Sequence, residues 1–281
     1  MRLGSVIRWE FLRAVRSKQY LFMSVFIPVI AAAAIIVASS QDRSAAQSLS
    51  GPPPAFVVAL ILAMILFMGA FLNGVMALYG VVKEKQSRVV ELVLSSISAR
   101  QMMAGKVIGL GIAGLIQVAA WVAVTYAVAS RFTTISLEAL TLVHWVTYPL
   151  YFALGYLLIA SIYAATGATM KDVQSGGVGG LVGFVAYVPI MFAALIIENP
   201  NHVLVRIASF FPPFTPSVML LRLGTAHVPA WEVALSLAAL GAGVVVTMRI
   251  AARVFELGLL MYGKAPSTRE LWKWVRARRP R

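Results

Sequence analysis

The chain has 281 residues, no cysteine, 60% hydrophobic and only 12% charged residues, yet a formal net charge of +14. A soluble domain carries about 25% charged residues, so this composition, with a mean hydropathy of +0.86, excludes an ordinary water-compatible surface and points to a polytopic membrane protein. The absence of cysteine excludes a disulfide scaffold, a thiol enzyme and a cysteine zinc site. It leaves a surplus of 24 Lys and Arg over 10 Asp and Glu to be placed.

Residues 1–19 predict an amphipathic helix lying on a membrane face. At 100° per residue, Leu3, Val6, Ile7, Phe11 and Ala14 share one arc, and Arg2, Arg13 and Arg16 share the other. Glu10 falls on the edge of the apolar arc. It can pair locally with Arg13 or reach another element as a salt bridge. The charged start and the missing small-residue cleavage site speak against a cleavable signal peptide.

Six stretches then meet or approach the roughly 20 apolar residues that cross hydrocarbon: 20–39, 55–82, 107–130, 145–170, 173–197 and 233–248. Pro28 should kink the first, because proline removes a backbone donor. The last is short, and Trp231, Glu232 and Arg249 at its ends can snorkel to the interfaces. The apolar stretch 207–221 is not counted. It holds Pro212, Pro213 and Pro216, and a lipid-facing helix there would leave backbone groups unsatisfied. It reads as a re-entrant or interfacial pair of short helices.

With both termini on one side, that side takes twenty basic residues and the other takes four, Arg43, Arg131, Arg206 and Arg222. The positive-inside bias therefore places both termini in the cytoplasm. The basic surplus is then a matter of topology and of attraction to anionic lipids, not a nucleic-acid footprint. In the cytoplasmic tail, 251–281, Ser267 and Glu270 fit a capping box. The helix that follows sets Leu271, Trp272, Trp274 and Val275 against Arg269, Lys273 and Arg276, as an interfacial anchor does.

Catalytic patterns are missing. The three histidines stand in no H-E-x-x-H arrangement, no serine lies in a G-x-S-x-G elbow, and Gly105-Lys106 lacks the rest of a Walker motif. The chain is expected to be no enzyme, to hold no cofactor and to bind no ATP itself. The six span interiors contain no Asp, Glu, Lys or Arg, which argues against a proton- or ion-coupled carrier. Of the sparse polar side chains, Asn73 and Gln117 either bond to neighbouring helices, for about 0.6–2 kcal/mol, or line a substrate path. The cluster 175-SGGVGGLVG-183 holds two small-xxx-small pairs, Gly176/Gly180 and Gly179/Gly183. These suit close helix packing or a hinge.

The long charged insertion 83–106 reads as a short helix, a turn at 95–98 and a second helix feeding the third span. Ser98 and Gln101 fit a capping box at the start of that second helix. It is either a solvated connector or a docking element whose apolar ridge (Val89, Val90, Leu92, Val93, Leu94) a cytoplasmic partner buries.

The stretch 84-EKQSRVVELVLSSISARQMMAGKVIGLGIAGLIQ-117 resembles the signature of ABC-2-type permeases, particularly the branch related to the NatB sodium-efflux permease. The similarity extends to 8-RWEFLRAVRSKQ-19, 167-GATMKDVQSGG-177, 210-FFPPFTPSVMLLRL-223 and 261-MYGKAPSTRELWKW-274. That branch commonly carries a large outer domain between spans one and two, where this chain has only 40–54.

The resemblance implies an all-α, six-span permease subunit of an exporter in a bacterial plasma membrane. It pairs with a second permease chain, and a separate ATPase subunit supplies ATP and magnesium. The insertion 83–106 would be the coupling helix, with Glu84, Ser87, Arg88, Glu91, Leu94 and Ser95 as contact or positioning residues, and 207–221 would be the family's re-entrant outer helices. A membrane scaffold of the same fold without transport of its own, and a stand-alone secondary carrier, are the rival expectations.

Overall fold

A computed structural model describes residues 3–40, 54–86, 97–132, 142–170 and 177–258. These form ten helices, and there is no strand among the described residues. The helix α1 spans Leu3–Val15 and α2 spans Lys18–Ser40. The hydroxyl of Ser17 between them accepts a hydrogen bond from the Tyr20 amide at 3.1 Å, which starts α2. Pro54 opens α3 (Pro54–Gln86), at a position where its missing amide hydrogen is not needed. Ser98 and Gln101 exchange amide-to-side-chain bonds of 3.2 Å each at the head of α4 (Ala99–Phe132), as a capping box requires. Then come α5 (Leu142–Thr169), α6 (Gly177–Met191), α7 (Ala193–Glu198), α8 (Val203–Ala208), α9 (Thr215–Thr225) and α10 (Ala230–Gly258).

Among the described residues, four helices are long and apolar enough to cross a membrane, over Ala63–Gln86, Gln101–Val128, Leu142–Thr169 and Ala230–Glu256. A shorter apolar helix covers Lys18–Ile30. The stretch 177–197 does not run as one helix: it is divided at Phe192 into α6 and α7, just after Pro189, which cannot supply a ladder bond. Residues 203–225 form two short helices, with Pro212 and Pro213 in the turn between them and Pro216 in the first turn of α9.

The helix α5 is the hub, packing against α3 and α10 most extensively and also against α4, α6 and α9. Close approach depends on glycine. A β-carbon at Gly167 of α5 would stand 2.6 Å from the Leu78 carbonyl oxygen of α3, so the two backbones touch without side chains between them. Two apolar cores result. One lies toward α1 and joins Val6, Leu78, Met103, Tyr163 and Phe255; the other lies toward α9 and joins Leu66, Tyr151, Met219, Leu220 and Leu240. α9 is buried from Thr215 through Gly224. The outward stripes are apolar as well, with Phe22, Val25 and Phe26 of α2, Ile116 of α4 and Val246 of α10 exposed, as a helix facing lipid requires.

Candidate functional site

The expected coupling segment leaves α3 and returns into α4, and its two ends are tied together by charge. Lys106 of α4 donates through Nζ to Glu84 Oε1 of α3 at 2.8 Å and to Glu10 Oε1 of α1 at 2.6 Å. Arg13 of α1 donates to the same Glu84 oxygen at 2.8 Å. Glu10 thus pairs across the fold, not with Arg13 one turn away. The Lys106 and Glu10 side chains are 2% and 4% exposed, against 46% for Arg13. Two cations and two carboxylates cancel, and only such mutual pairing sustains charges at this depth.

The local sequence explains how α1 comes so close. Val6, Glu10 and Ala14, spaced by four, form its buried stripe, and that stripe lies over Gly105 and Gly109 of α4. A β-carbon on Gly109 would meet the Ile7 carbonyl oxygen at 2.8 Å and the Phe11 amide nitrogen at 3.2 Å. The neighbouring residue, Lys85, turns the other way and donates to the Ala168 and Met170 carbonyl oxygens at 3.1 and 3.5 Å. It thereby places a cation on the open carbonyls at the C-terminal end of α5. Residues 83–86 are the last turn of α3 and 99–106 the first turns of α4, so the segment departs from and returns to fixed helical ends. Of the expected coupling residues, Glu84 belongs to this clamp; Ser87, Arg88, Glu91, Leu94 and Ser95 lie outside the described residues.

Asn73 and Gln117 are brought together. Asn73 Nδ2 donates to Gln117 Oε1 and to the Gly69 carbonyl oxygen, both at 2.9 Å, and Gln117 Nε2 donates to Ser24 Oγ at 3.0 Å. Ser24 in turn donates to the Tyr20 carbonyl oxygen at 2.7 Å, and the Tyr20 hydroxyl donates to the Ala113 carbonyl oxygen at 2.8 Å. A polar seam therefore joins α2, α3 and α4 inside an apolar bundle. Asn73 Oδ1 is buried in it with no protein partner. Of the glycine pairs, Gly176 lies outside the described residues, and Gly179 and Gly180 sit in the first turn of α6. A β-carbon at Gly183 would meet the Phe71 ring of α3 at 2.6 Å and the Tyr163 hydroxyl of α5 at 2.9 Å.

A second charged cluster, at the α9 end, carries no sequence signature. Arg222 is fully buried and donates to Glu232 Oε2 of α10 at 2.8 Å, the Pro200 carbonyl oxygen at 2.9 Å and Ser209 Oγ at 3.1 Å. Arg206, 43% exposed, donates to the other Glu232 oxygen at 2.6 Å. The cluster pins the α7–α9 hairpin onto α10. Pairing this arginine with that carboxylate needs the fold; a basic residue inside an otherwise apolar helix was the available hint. Among the described residues no group of three His, Asp or Glu side chains could hold a metal ion.

Residues 36–253, well over half of the chain, match the family described as ABC-2 family transporter protein. Two uncharacterized proteins are similar to it. MJ1024 of Methanocaldococcus jannaschii is 28% identical over 75% of this chain and 50% of its own length. YhaP of Bacillus subtilis is 26% identical over 77% of this chain and 54% of its own length. The chain therefore spans about half the length of these curated relatives. Apolar helices of membrane-crossing length and a family match that reaches from α2 into α10 agree, and the chain belongs to the ABC-2 transporter family of multi-pass membrane proteins.

Proposed function

We propose that the chain is the permease subunit of an exporter, paired with a second permease chain and driven by a separate ATPase that docks on residues 83–106. The observation that carries this reading is the clamp in which Lys106 holds Glu84 and Glu10. A push on the segment acts on α3 and α4 at once, because its two ends are joined. It also reaches α1, and through Lys85 the end of α5. A solvated connector has no need of a buried charge network at its roots. The resemblance supplies Ser87, Arg88, Glu91, Leu94 and Ser95 as the docking and positioning residues beside Glu84.

On the same reading six spans cross a plasma membrane, both termini are cytoplasmic, α1 lies on the inner face and the α7–α9 hairpin faces outward. The seam of Asn73 and Gln117 borders the substrate path, and the unpartnered Asn73 Oδ1 is its free acceptor. Gly183 and the glycines before it set the packing of α6. An amphiphile entering from the bilayer suits these apolar walls better than a hard cation such as sodium, which takes oxygen ligands, usually including carboxylates.

The test is affinity purification of the full chain from its native membranes. An ATPase subunit with a Walker motif should accompany the wild-type chain. The double charge reversal R88E/E91R should lower its recovery at least tenfold, as expected when charges facing the ATPase are reversed while the ATPase keeps its own (on the order of 1.4 kcal/mol or more). Unchanged recovery of the ATPase overturns the docking assignment, and gradient-driven transport by the chain alone in liposomes overturns the exporter reading in favour of a secondary carrier.

A further inference from the structure

A groove of about 450 Å³ runs between α7 and α8, with Leu195 of α7 on one side, Leu204 and Ala208 of α8 on the other, and Phe214 and Val218 of the α9 segment beneath. Its lining is apolar except for Asn199 and His202, at the turn that joins the two helices. That turn is fixed in place. The His202 amide donates to the Asn199 carbonyl oxygen at 3.1 Å, and the buried Arg222 guanidinium donates to the Pro200 carbonyl oxygen at 2.9 Å. The groove is therefore preformed, as small-ligand sites usually are.

Its depth follows from the helix it rests on. At the head of α9, the Pro216 ring would stand 2.5 Å from a β-carbon at Gly155, midway along α5. Near its other end, the Leu223 carbonyl oxygen lies 2.9 Å from His144 Nε2, in the first turn of α5. Between His144 and Gly155 α5 rises about 17 Å, roughly half of the 30 Å hydrocarbon thickness. The groove thus spans one leaflet, and Arg222 ties the Asn199–His202 turn to its interface end. Phe192, Leu195 and Leu204 are exposed along the rim, so it opens sideways to lipid. Its volume is about three times the roughly 150 Å³ that accepts one benzene ring, which admits about 18 carbons: one acyl chain, not two.

The polar end offers a donor and a positive field. His202 Nδ1 accepts from the Leu204 amide at 3.3 Å, which leaves the proton of the neutral ring on Nε2 of an exposed side chain. Arg206, one turn further along α8, and the buried Arg222 share a single carboxylate, Glu232, so their cluster keeps one net positive charge. No acidic side chain lines the groove. From this arrangement we infer that the α7–α8 groove binds a single-chain anionic amphiphile, a long-chain fatty acid. Its acyl chain lies against Leu195, Leu204 and Val218, and its carboxylate accepts from His202 Nε2 at the turn. The inference requires only that these helices lie in a bilayer, so it stands apart from the export reading and from the ATPase.

Photo-crosslinking of the purified full chain in phosphatidylcholine nanodiscs tests it, with a diazirine-tagged palmitic acid as the probe and peptide mass spectrometry as the readout. Labelling should concentrate in residues 188–218, and palmitate should compete for it about fivefold better than methyl palmitate, the factor expected for one solvent-facing hydrogen bond. A208F, which fills the groove, should lower that labelling about tenfold, as the exclusion of two methylenes does. H202N keeps a residue that caps α8 but withdraws the Nε2 donor, so it should lower labelling about fivefold with an unchanged Tm. Labelling spread evenly over other exposed apolar faces, such as Phe22, Val25 and Phe26 of α2, overturns the site and leaves the groove to bulk lipid. Labelling of 188–218 that is indifferent to both variants overturns it too, and equal competition by the ester overturns the choice of a carboxylate headgroup.

Discussion

Lys106 is held by two carboxylates from two other helices, so its removal strands Glu10 at 4% exposure. Breaking a buried pair from one side costs about 3–5 kcal/mol, whereas an exposed partner such as Arg13 contributes about 1 kcal/mol or less. K106A should therefore lower the Tm of the purified protein by several degrees more than R13A does, measured by differential scanning fluorimetry; equal effects would show that the clamp holds no more than a surface pair. Glycine gives a parallel contrast. G109A pushes a methyl into the α1 backbone, and overpacking of that kind costs about 1–3 kcal/mol. G4A meets nothing within 4 Å and should be neutral or mildly stabilising, since alanine is the better helix former. The same melting curves decide between them. Sequence periodicity put Val6 and Ala14 on an apolar arc expected to face the membrane, with Glu10 at its edge, whereas all three are buried against α4. What it could not supply was the partner, because Glu10 and Lys106 are far apart in the chain and no local pattern encodes such a pairing.

Among the elements, the α7–α9 hairpin shows best what a linear pattern can and cannot carry. Its prolines were enough to predict short helices in place of a span, because each removes a backbone donor that hydrocarbon cannot replace. They said nothing of the anchor. Arg222 reads from the sequence as a stray charge, yet it is the buried side chain that ties α9, the Pro200 turn and α10 together. The division of 177–197 into α6 and α7 was missed for the opposite reason: uninterrupted hydropathy masked Pro189 as a break. Two arginines on one carboxylate allow a direct test. R222A leaves Glu232, 2% exposed, with only the solvent-facing Arg206, and should destabilise by about 3–5 kcal/mol. R206A leaves the buried pair intact and should cost about 1 kcal/mol or less. Chemical denaturation in detergent would show the difference in midpoint, and a reversed ranking would mean that the hairpin is held by its apolar contacts alone.

For the molecule as a whole, the basic surplus and the fold bear on one question, which way up the chain sits. The clamp lies at one end, and the Arg222–Glu232 cluster lies at the other. If the positive-inside bias governs insertion, α1 faces the cytoplasm and α8 faces outward. The absence of cysteine makes this directly measurable, since a single introduced thiol has no background. S5C lies on the exposed side of α1, and L204C replaces a residue 69% exposed on α8. A membrane-impermeant maleimide should label L204C in intact cells and leave S5C unlabelled until the cells are opened. Labelling of S5C in intact cells would invert the proposed orientation, and with it the direction in which the clamp could transmit work from an ATPase. Labelling of both would place an odd number of crossings between α1 and α8 out of reach, and would require α1 or the hairpin to cross the bilayer by a different route.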